Sequence, residues 1–170
     1  MKFLVTFIFI GFLSLSSCSE KSDNKTLTTL YFIRHSEKDR SNPDNKNPHL
    51  TILGKERAQY WAEVLQHIKF DAIYTTNYNR TIETGAPTAK NNNLTVQFYN
   101  ADKLDAEKML IDNKGNNVLI VGHSDTTPKF VNKFLETNSY QEIDDSNNGN
   151  LYILTITDDI ITDFLLTMNP

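Results

Sequence analysis

Two short apolar runs, each followed directly by a histidine-bearing dipeptide, stand out in the hydrophobic pattern of this chain. Residues 30–33 are rich in β-branched and aromatic side chains and predict a buried strand, which leads into Arg34 and His35. Residues 118–121 form a second such run, followed by Gly122 and His123. Ligands of open α/β sheets bind at the carboxyl ends of the strands. The pattern therefore predicts two imidazoles at one candidate binding edge.

Between these runs, the pattern alternates between helix and strand. Apolar positions at helical spacing predict a helix over 52–68, with Thr51 as its N-cap, after a long polar loop over 36–50. Two further strands are predicted, at 70–74 and 94–99. Three further helices are predicted: one that carries Arg80, one over 102–112, and one that ends at 136 and begins with Thr127 as its N-cap and Pro128 at its first position.

The end of the chain has a different pattern. Residues 151–156 and 160–166 are two β-rich runs around a short polar turn, which predicts an antiparallel hairpin. Strand–helix alternation followed by a hairpin is typical of an α/β three-layer sandwich. We expect a mostly parallel central sheet, helices on both of its faces and an antiparallel C-terminal hairpin.

The first residues form a separate unit. Lys2 precedes an apolar run from 3 to 15, and small residues then lead to Cys18, which is typical of a secretion signal. Residues 15–18 resemble the processing box of bacterial lipoproteins, in which the chain is cut before a cysteine that is then lipidated. We therefore predict a signal peptide over 1–17, a lipidated Cys18 with a tether over 18–27, and a domain over 28–170. The expected location is the bacterial cell envelope, on a periplasmic or surface face, with Cys18 as the membrane anchor.

Composition narrows the class of protein. The chain has 170 residues, 39% of them hydrophobic, with a formal charge of −4, enough for one core and too acidic for a nucleic-acid footprint. Cys18 is the only cysteine, so the domain has no internal disulfide, no cysteine nucleophile and no cysteine-ligated metal.

Four side chains carry the candidate chemistry: Arg34, His35, Arg80 and His123. Two guanidinium groups at the carboxyl edge of a sheet match the oxygens of a phosphate, and a helix N-terminus adds backbone donors. A neutral imidazole beside them can attack phosphorus, and a second, when protonated, can stabilise the transition state. Such a site predicts phosphate chemistry without a metal ion, because the cationic side chains neutralise the charge.

These residues also resemble a known family. Residues 31–38 are similar to the signature of the histidine phosphatase superfamily, the phosphoglycerate-mutase-like group, in which a strand ends in Arg-His-Gly and the histidine becomes phosphorylated. The resemblance continues through 50–54, 74–76, 80–84 and 121–124, in family order. Ser36 stands where the family usually has glycine.

The resemblance implies that His35 is the nucleophile and that Arg34, Arg80 and His123 bind the phosphoryl group. It leaves the general acid open: Asp102 is favoured over Asp125 and Glu37. The implied activity is hydrolysis of a small phosphomonoester, or of a phosphoramidate if no acid serves, without a cofactor. Mutase activity is not expected of so short a chain. The alternative is a phosphate-binding protein of the same fold that is weakly active or inactive.

Three further polar side chains have weaker signals in the sequence. Lys38 either reaches the pocket or is solvated, and His49 is expected to be a solvated loop residue. His67 is expected near the carboxyl end of the 52–68 helix, where a positive charge favours the helix dipole.

Overall fold

The computed structural model describes residues 26–158 and 160–168. The predicted signal peptide, Cys18 and most of the predicted tether lie outside these residues. The first strand starts at Leu27, one residue before the predicted start of the domain. No helix of the described part is long and apolar enough to cross a membrane.

The described residues form six strands and four α-helices. The elements are β1 (Leu27–Arg34), α1 (Ile52–Val64), β2 (Ala72–Thr75), α2 (Asn79–Asn91), β3 (Gln97–Phe98), α3 (Ala106–Asp112), β4 (Asn117–Gly122), α4 (Thr126–Leu135), β5 (Asn150–Thr157) and β6 (Ile160–Thr167). The strand order is β3-β2-β4-β1-β5-β6, parallel from β3 to β1 and antiparallel from β1 to β6. The predicted α/β class and the C-terminal hairpin are confirmed.

Alternating side chains of the central strands supply two cores, one on each face of the sheet. On one face Phe32 and Ile120 pack with Phe130 of α4. On the other, Ile33 and Val121 pack with Trp61 of α1. Residues 30–33 of β1 and 118–121 of β4 are therefore continuously apolar, because these parts of the strands are covered on both faces.

Three predicted element boundaries after residue 90 are wrong, and side-chain caps explain the first of them. The predicted helix over 102–112 is split, because Asn100 caps a 3₁₀ turn at Ala101–Lys103 and Asp105 caps α3 separately. The α4 helix is preceded by Asp125 rather than by Thr127, and Pro128 takes its third position, where a missing N–H breaks no helical bond. The predicted 94–99 strand pairs only at β3, on the edge of the sheet.

The first helix ends earlier than predicted, at Val64, so His67 lies beyond it and is exposed. Its N-terminus is as expected: Thr51 accepts a hydrogen bond from the Gly54 amide, 3.0 Å away. Gly54 is required here for a steric reason. A Cβ atom at this position would lie 2.2 Å from the Glu37 carbonyl oxygen, which also accepts from the Thr51 amide.

We predict that Gly54→Ala destabilises the protein by about 1–2 kcal/mol. Alanine favours a helix over glycine by about 0.5–1 kcal/mol, but overpacking against backbone typically costs about 1–3 kcal/mol. Urea unfolding measures the difference, with Gln59→Ala on the exposed face of α1 as the control, which we expect to lie within about 0.5 kcal/mol of wild type. A Gly54→Ala variant more stable than wild type would contradict this prediction, because it would show that the backbone at Glu37 can move away from the new Cβ atom at no cost in free energy.

Candidate active site

The register between two parallel strands brings the two histidines together. Arg34 of β1 lies opposite Gly122 of β4, so the next residue of each strand, His35 and His123, leaves the sheet side by side. The His35 amide donates to the Gly122 carbonyl at 2.9 Å, and the two imidazole centroids are 5.5 Å apart. Both rings line a pocket of about 590 Å³, together with Arg34 and Arg80. The structure thus brings all four predicted side chains into one place.

The imidazole of His35 is held in one orientation. Its Nδ1 lies 2.7 Å from the Ser36 carbonyl oxygen, which can only accept, so Nδ1 carries the proton. The Nε2 atom of the neutral ring therefore bears the lone pair. The Asn148 side chain also fixes this residue by donating to the His35 carbonyl at 2.8 Å.

Both imidazoles are neutral at pH 7 in the free site. Burial, followed by the charges of His123, Arg80 and Arg34, lowers the pKa of His35 to about 3, although its bond to Ser36 acts in the opposite sense. Burial and the charge of Arg80 lower the pKa of His123 to about 4. A neutral His35 suits nucleophilic attack. His123, in contrast, gains the predicted positive charge only when an anion offsets its cationic neighbours.

Arg80 offers unpaired donors to the pocket. It is the second residue of α2, and its guanidinium carbon lies 4.4 Å from the centre of the Tyr78 ring. Its Nε and Nη1 atoms are buried and have no hydrogen-bond partner among the described residues. Buried donors of this kind are costly unless a partner satisfies them, and a phosphate oxygen is a fitting partner.

Arg34 is bonded to the loop before β5 through both terminal nitrogens of its guanidinium group. Its Nη1 donates to three carbonyl oxygens, those of Asp144, Asp145 and Asn147, at 2.9–3.1 Å. Its Nη2 pairs with the Asp145 carboxylate at 2.6 Å, and only Nε lacks a partner within the described part of the chain. Arg34 therefore anchors the loop before β5 and keeps one buried nitrogen, Nε, without a partner among the described residues.

The three candidate acids occupy different environments. Asp102 lies exposed at the rim of the pocket, in the 3₁₀ turn. Asp125 also lines the pocket but pairs with Lys129 at 3.3 Å. Glu37 is not among the lining residues, and its carboxylate pairs with Arg57 at 2.7 Å, which removes it as a candidate. The order of preference between Asp102 and Asp125 stays a prediction.

The other polar residues singled out in the sequence also have definite positions. Ser36 is fully buried, its amide donates to Thr84 at 2.9 Å, and its Oγ has no partner among the described residues. Lys38 lines the pocket, where burial lowers its pKa. His49 is an exposed loop residue, as predicted, and it also pairs with Glu83.

Sequence reasoning missed four contributors to the site: Thr76, Tyr78, Asp145 and Asn148. Thr76 lies 2.9 Å from His123 Nε2, and Tyr78 stacks its edge against the same ring at 5.4 Å. The two threonines after β2 fell within the recognised 74–76 motif and could have signalled a role. The 144–148 loop carries no such signal, because it acts mainly through backbone carbonyls.

Within the described ranges, no group of three or more His, Cys, Asp or Glu side chains is placed to hold a metal ion. The pocket is lined instead by cationic and hydroxyl groups, together with the acidic side chains at its rim.

Comparisons with known proteins agree with this geometry. Residues 30–101 match the family model described as the histidine phosphatase superfamily (branch 1). A search of curated proteins found no significant match. Among solved structures, a mycobacterial glucosyl-3-phosphoglycerate phosphatase is 14% identical with a TM-score of 0.61, over 84% of this chain and 99% of that one.

Two further structures share the fold. Phosphoglycerate mutase from Bacillus anthracis is 15% identical with a TM-score of 0.65, over 84% of this chain and 93% of its own. A protein assigned as the phosphohistidine phosphatase SixA from Agrobacterium tumefaciens is 16% identical with a TM-score of 0.61, over 84% of this chain and 99% of its own. At these identities the structures show a common fold.

We predict that folding stability falls as the pH is lowered from 7 to 4.5. The unfolded chain protonates His35 near its ordinary pKa of 6.5, whereas the folded protein keeps this ring neutral until about pH 3. Protons therefore favour the unfolded state in this window, by about 2 kcal/mol for this residue alone.

Urea unfolding of His35→Gln at both pH values tests this prediction. The variant should lose about 2 kcal/mol less than wild type on acidification, because it has no imidazole to protonate. His67→Gln, at an exposed position, serves as the control and should keep the wild-type pH dependence. An unchanged slope in His35→Gln would contradict the burial of a neutral ring.

Proposed function

We propose that this chain, whose residues 30–101 match the histidine phosphatase family model, is a member of that superfamily and hydrolyses small phosphorylated compounds through a phosphohistidine on His35. The observation that carries the proposal is the meeting of two neutral imidazoles, 5.5 Å apart, with buried guanidinium donors that lack a partner in the described part of the structure. The phosphatase named among the structural neighbours supports the same class of reaction.

The first step follows from the tautomer of His35. The Nε2 lone pair attacks phosphorus in line with the leaving oxygen, a P–N bond forms and the P–O bond breaks. The Nδ1 proton stays on the ring, and the Ser36 carbonyl accepts its hydrogen bond and stabilises the positive charge that develops there. In the second step water attacks phosphorus, and the P–N bond breaks with its electron pair returning to Nε2. The proton lost by the water passes to solvent, which leaves inorganic phosphate and neutral His35.

The guanidinium groups supply the electrostatic stabilisation. Donors held rigidly around a transferring phosphoryl group act more strongly in a buried site than in water. Arg80 contributes its Nε and Nη1, and Arg34 its Nε. Because Arg34 is fixed by four hydrogen bonds to the 144–147 loop, its remaining N–H is already oriented before substrate arrives.

The leaving group is the least constrained part of the reaction. Asp125 is ion-paired, the pKa of Asp145 is lowered by Arg34 and Arg40, and Asp102 is exposed at the rim. A poor leaving group needs a proton from an acid, whereas a phosphoramidate leaves more readily. This arrangement favours phosphoramidates or activated esters as substrates. The second candidate function is a phosphate-binding protein with little or no turnover. It is favoured by the same observation, that none of these three carboxyl groups is well placed to act as a general acid.

We expect the wild type to hydrolyse a chromogenic phosphate ester and His35→Ala to lose at least about 10³-fold in kcat/KM, because the nucleophile is removed. His67→Ala, an exposed histidine, should keep wild-type activity. Acid-labile, base-stable phosphate on the trapped wild type, absent from His35→Ala, would identify the intermediate. A wild type that binds phosphate without turnover would favour the binding protein instead.

We also predict that Asp102→Asn lowers kcat for an alkyl phosphate by about 10²-fold but leaves a phosphoramidate almost unaffected, if Asp102 delivers the proton. Steady-state kinetics with both substrates measure this, and Asp125→Asn is the matched comparison. Equal effects on the two substrates would show that Asp102 acts by binding rather than by protonation.

A further inference from the structure

A buried pair of hydroxyl groups contacts the second histidine. The Thr76 Oγ1 atom lies 2.9 Å from His123 Nε2 and 3.0 Å from Thr81 Oγ1. Both threonines are almost completely buried, with 2% and 0% of their surface exposed. The hydrogen bonds of this pair therefore cannot be exchanged for bonds to solvent, and each must have a donor and an acceptor.

The two carbonyl groups beside the Thr81 hydroxyl determine which atom donates in each of these hydrogen bonds. Thr81 Oγ1 lies 2.8 Å from the Thr76 carbonyl oxygen and 2.9 Å from the Tyr78 carbonyl oxygen, neither of which can donate. Its single proton is therefore directed to these carbonyls, and Thr81 can only accept from Thr76. Thr76 then has no proton left for the imidazole, so the bond at His123 must be donated by Nε2–H.

The other nitrogen of the ring supports the same assignment. His123 Nδ1 is buried and has no hydrogen-bond partner within the described residues. A buried N–H without a partner is rarer than a buried acceptor without one. The cations Arg80, Lys38 and Arg34 also act on this ring, and positive charge nearby favours a lone pair over an N–H.

We infer that Thr76 and Thr81 are positioning residues that hold neutral His123 as its Nε2–H tautomer, so that His123 binds a phosphoryl group only after Nδ1 has gained a proton. The inference rests on the proposed function, in which His123 contacts the phosphoryl group; since Nε2 is committed to Thr76, only Nδ1 remains for that contact.

The balance of the binding step is simple. The free site binds one phosphoryl dianion and takes up one proton from solvent. In the resulting complex, Nδ1–H donates a hydrogen bond to a phosphoryl oxygen. When the substrate arrives as a monoanion, the proton comes with it. No covalent bond to phosphorus changes in this step, and the imidazolium formed carries Nε2–H to Thr76 as before.

The charged neighbours make this proton depend on the ligand. Alone, the site opposes protonation, and a bound dianion reverses that balance by offsetting the cations. The groups that act on His123 from the surrounding elements are Arg34 and His35 at the end of β1, Lys38 in the following loop, Tyr78 and Arg80 at the start of α2, and Asp125 before α4. Only Asp125 favours the proton in the free site.

The tautomer can be read directly from the ring nitrogens of the full chain by long-range ¹H–¹⁵N correlation at pH 7. We expect His123 to show a protonated Nε2 and an unprotonated Nδ1, and Thr76→Ser to keep this pattern. Thr76→Val should lose it, because valine offers no acceptor. A protonated Nδ1 in the free wild type would overturn the inference, and since the wild-type spectrum decides, a poorly folded Thr76→Val would leave the test intact.

Proton uptake tests the consequence. Titration calorimetry with inorganic phosphate at about pH 8, in two buffers of different ionisation enthalpy, should give uptake of about one proton per phosphate dianion bound. Binding without uptake would overturn the inference and leave the phosphatase proposal standing. Absence of phosphate binding together with the expected tautomer would instead overturn the proposed role of the pocket, so the two failures can be distinguished.

Discussion

The pairing of β1 with β4 is the constraint on which the site depends. Because Arg34 and Gly122 are partners in a parallel ladder, the residues after them emerge at the same height, and two distant histidines become neighbours. Gly122 allows the end of β4 to lie this close to its neighbours, since a Cβ atom there would be 2.5 Å from Thr127 Oγ1 and 2.8 Å from the Tyr99 hydroxyl. The sheet register and the start of α4 thus fix the spacing of the imidazoles before any substrate is present.

The electrostatics of the pocket favour an anion. Arg80, Arg34 and Lys38 surround two imidazoles that burial keeps neutral, and Asp145 is occupied by Arg34 and Arg40. The free site therefore holds positive charge with few partners for it. A phosphoryl dianion relieves this imbalance and, by the same interaction, favours the protonated form of His123. Binding and protonation of the site are consequently two aspects of one interaction.

The sequence was sufficient for the parts of the fold that are buried on both sides. The runs that became β1 and β4 are continuously apolar, and the chemistry-bearing residues follow them directly, so both strands and both histidines could be predicted. The split of 102–112 depended on two local side-chain caps, at Asn100 and Asp105, which compete with a continuous helix. The clamp on Arg34 joins residues about 110 positions apart through backbone carbonyls, which leave no mark in a hydrophobic pattern.

The direction of β1 has a practical consequence. The strand enters the sheet at Leu27 and ends at the site with Arg34, seven residues later, which corresponds to about 23 Å of extended chain. The Leu27 end of β1 therefore lies at the rim of the sheet opposite the pocket. Immobilisation on a bead or sensor chip through that end would leave the mouth of the pocket open to bulky phosphorylated ligands, whereas attachment near the 144–147 loop would obstruct it.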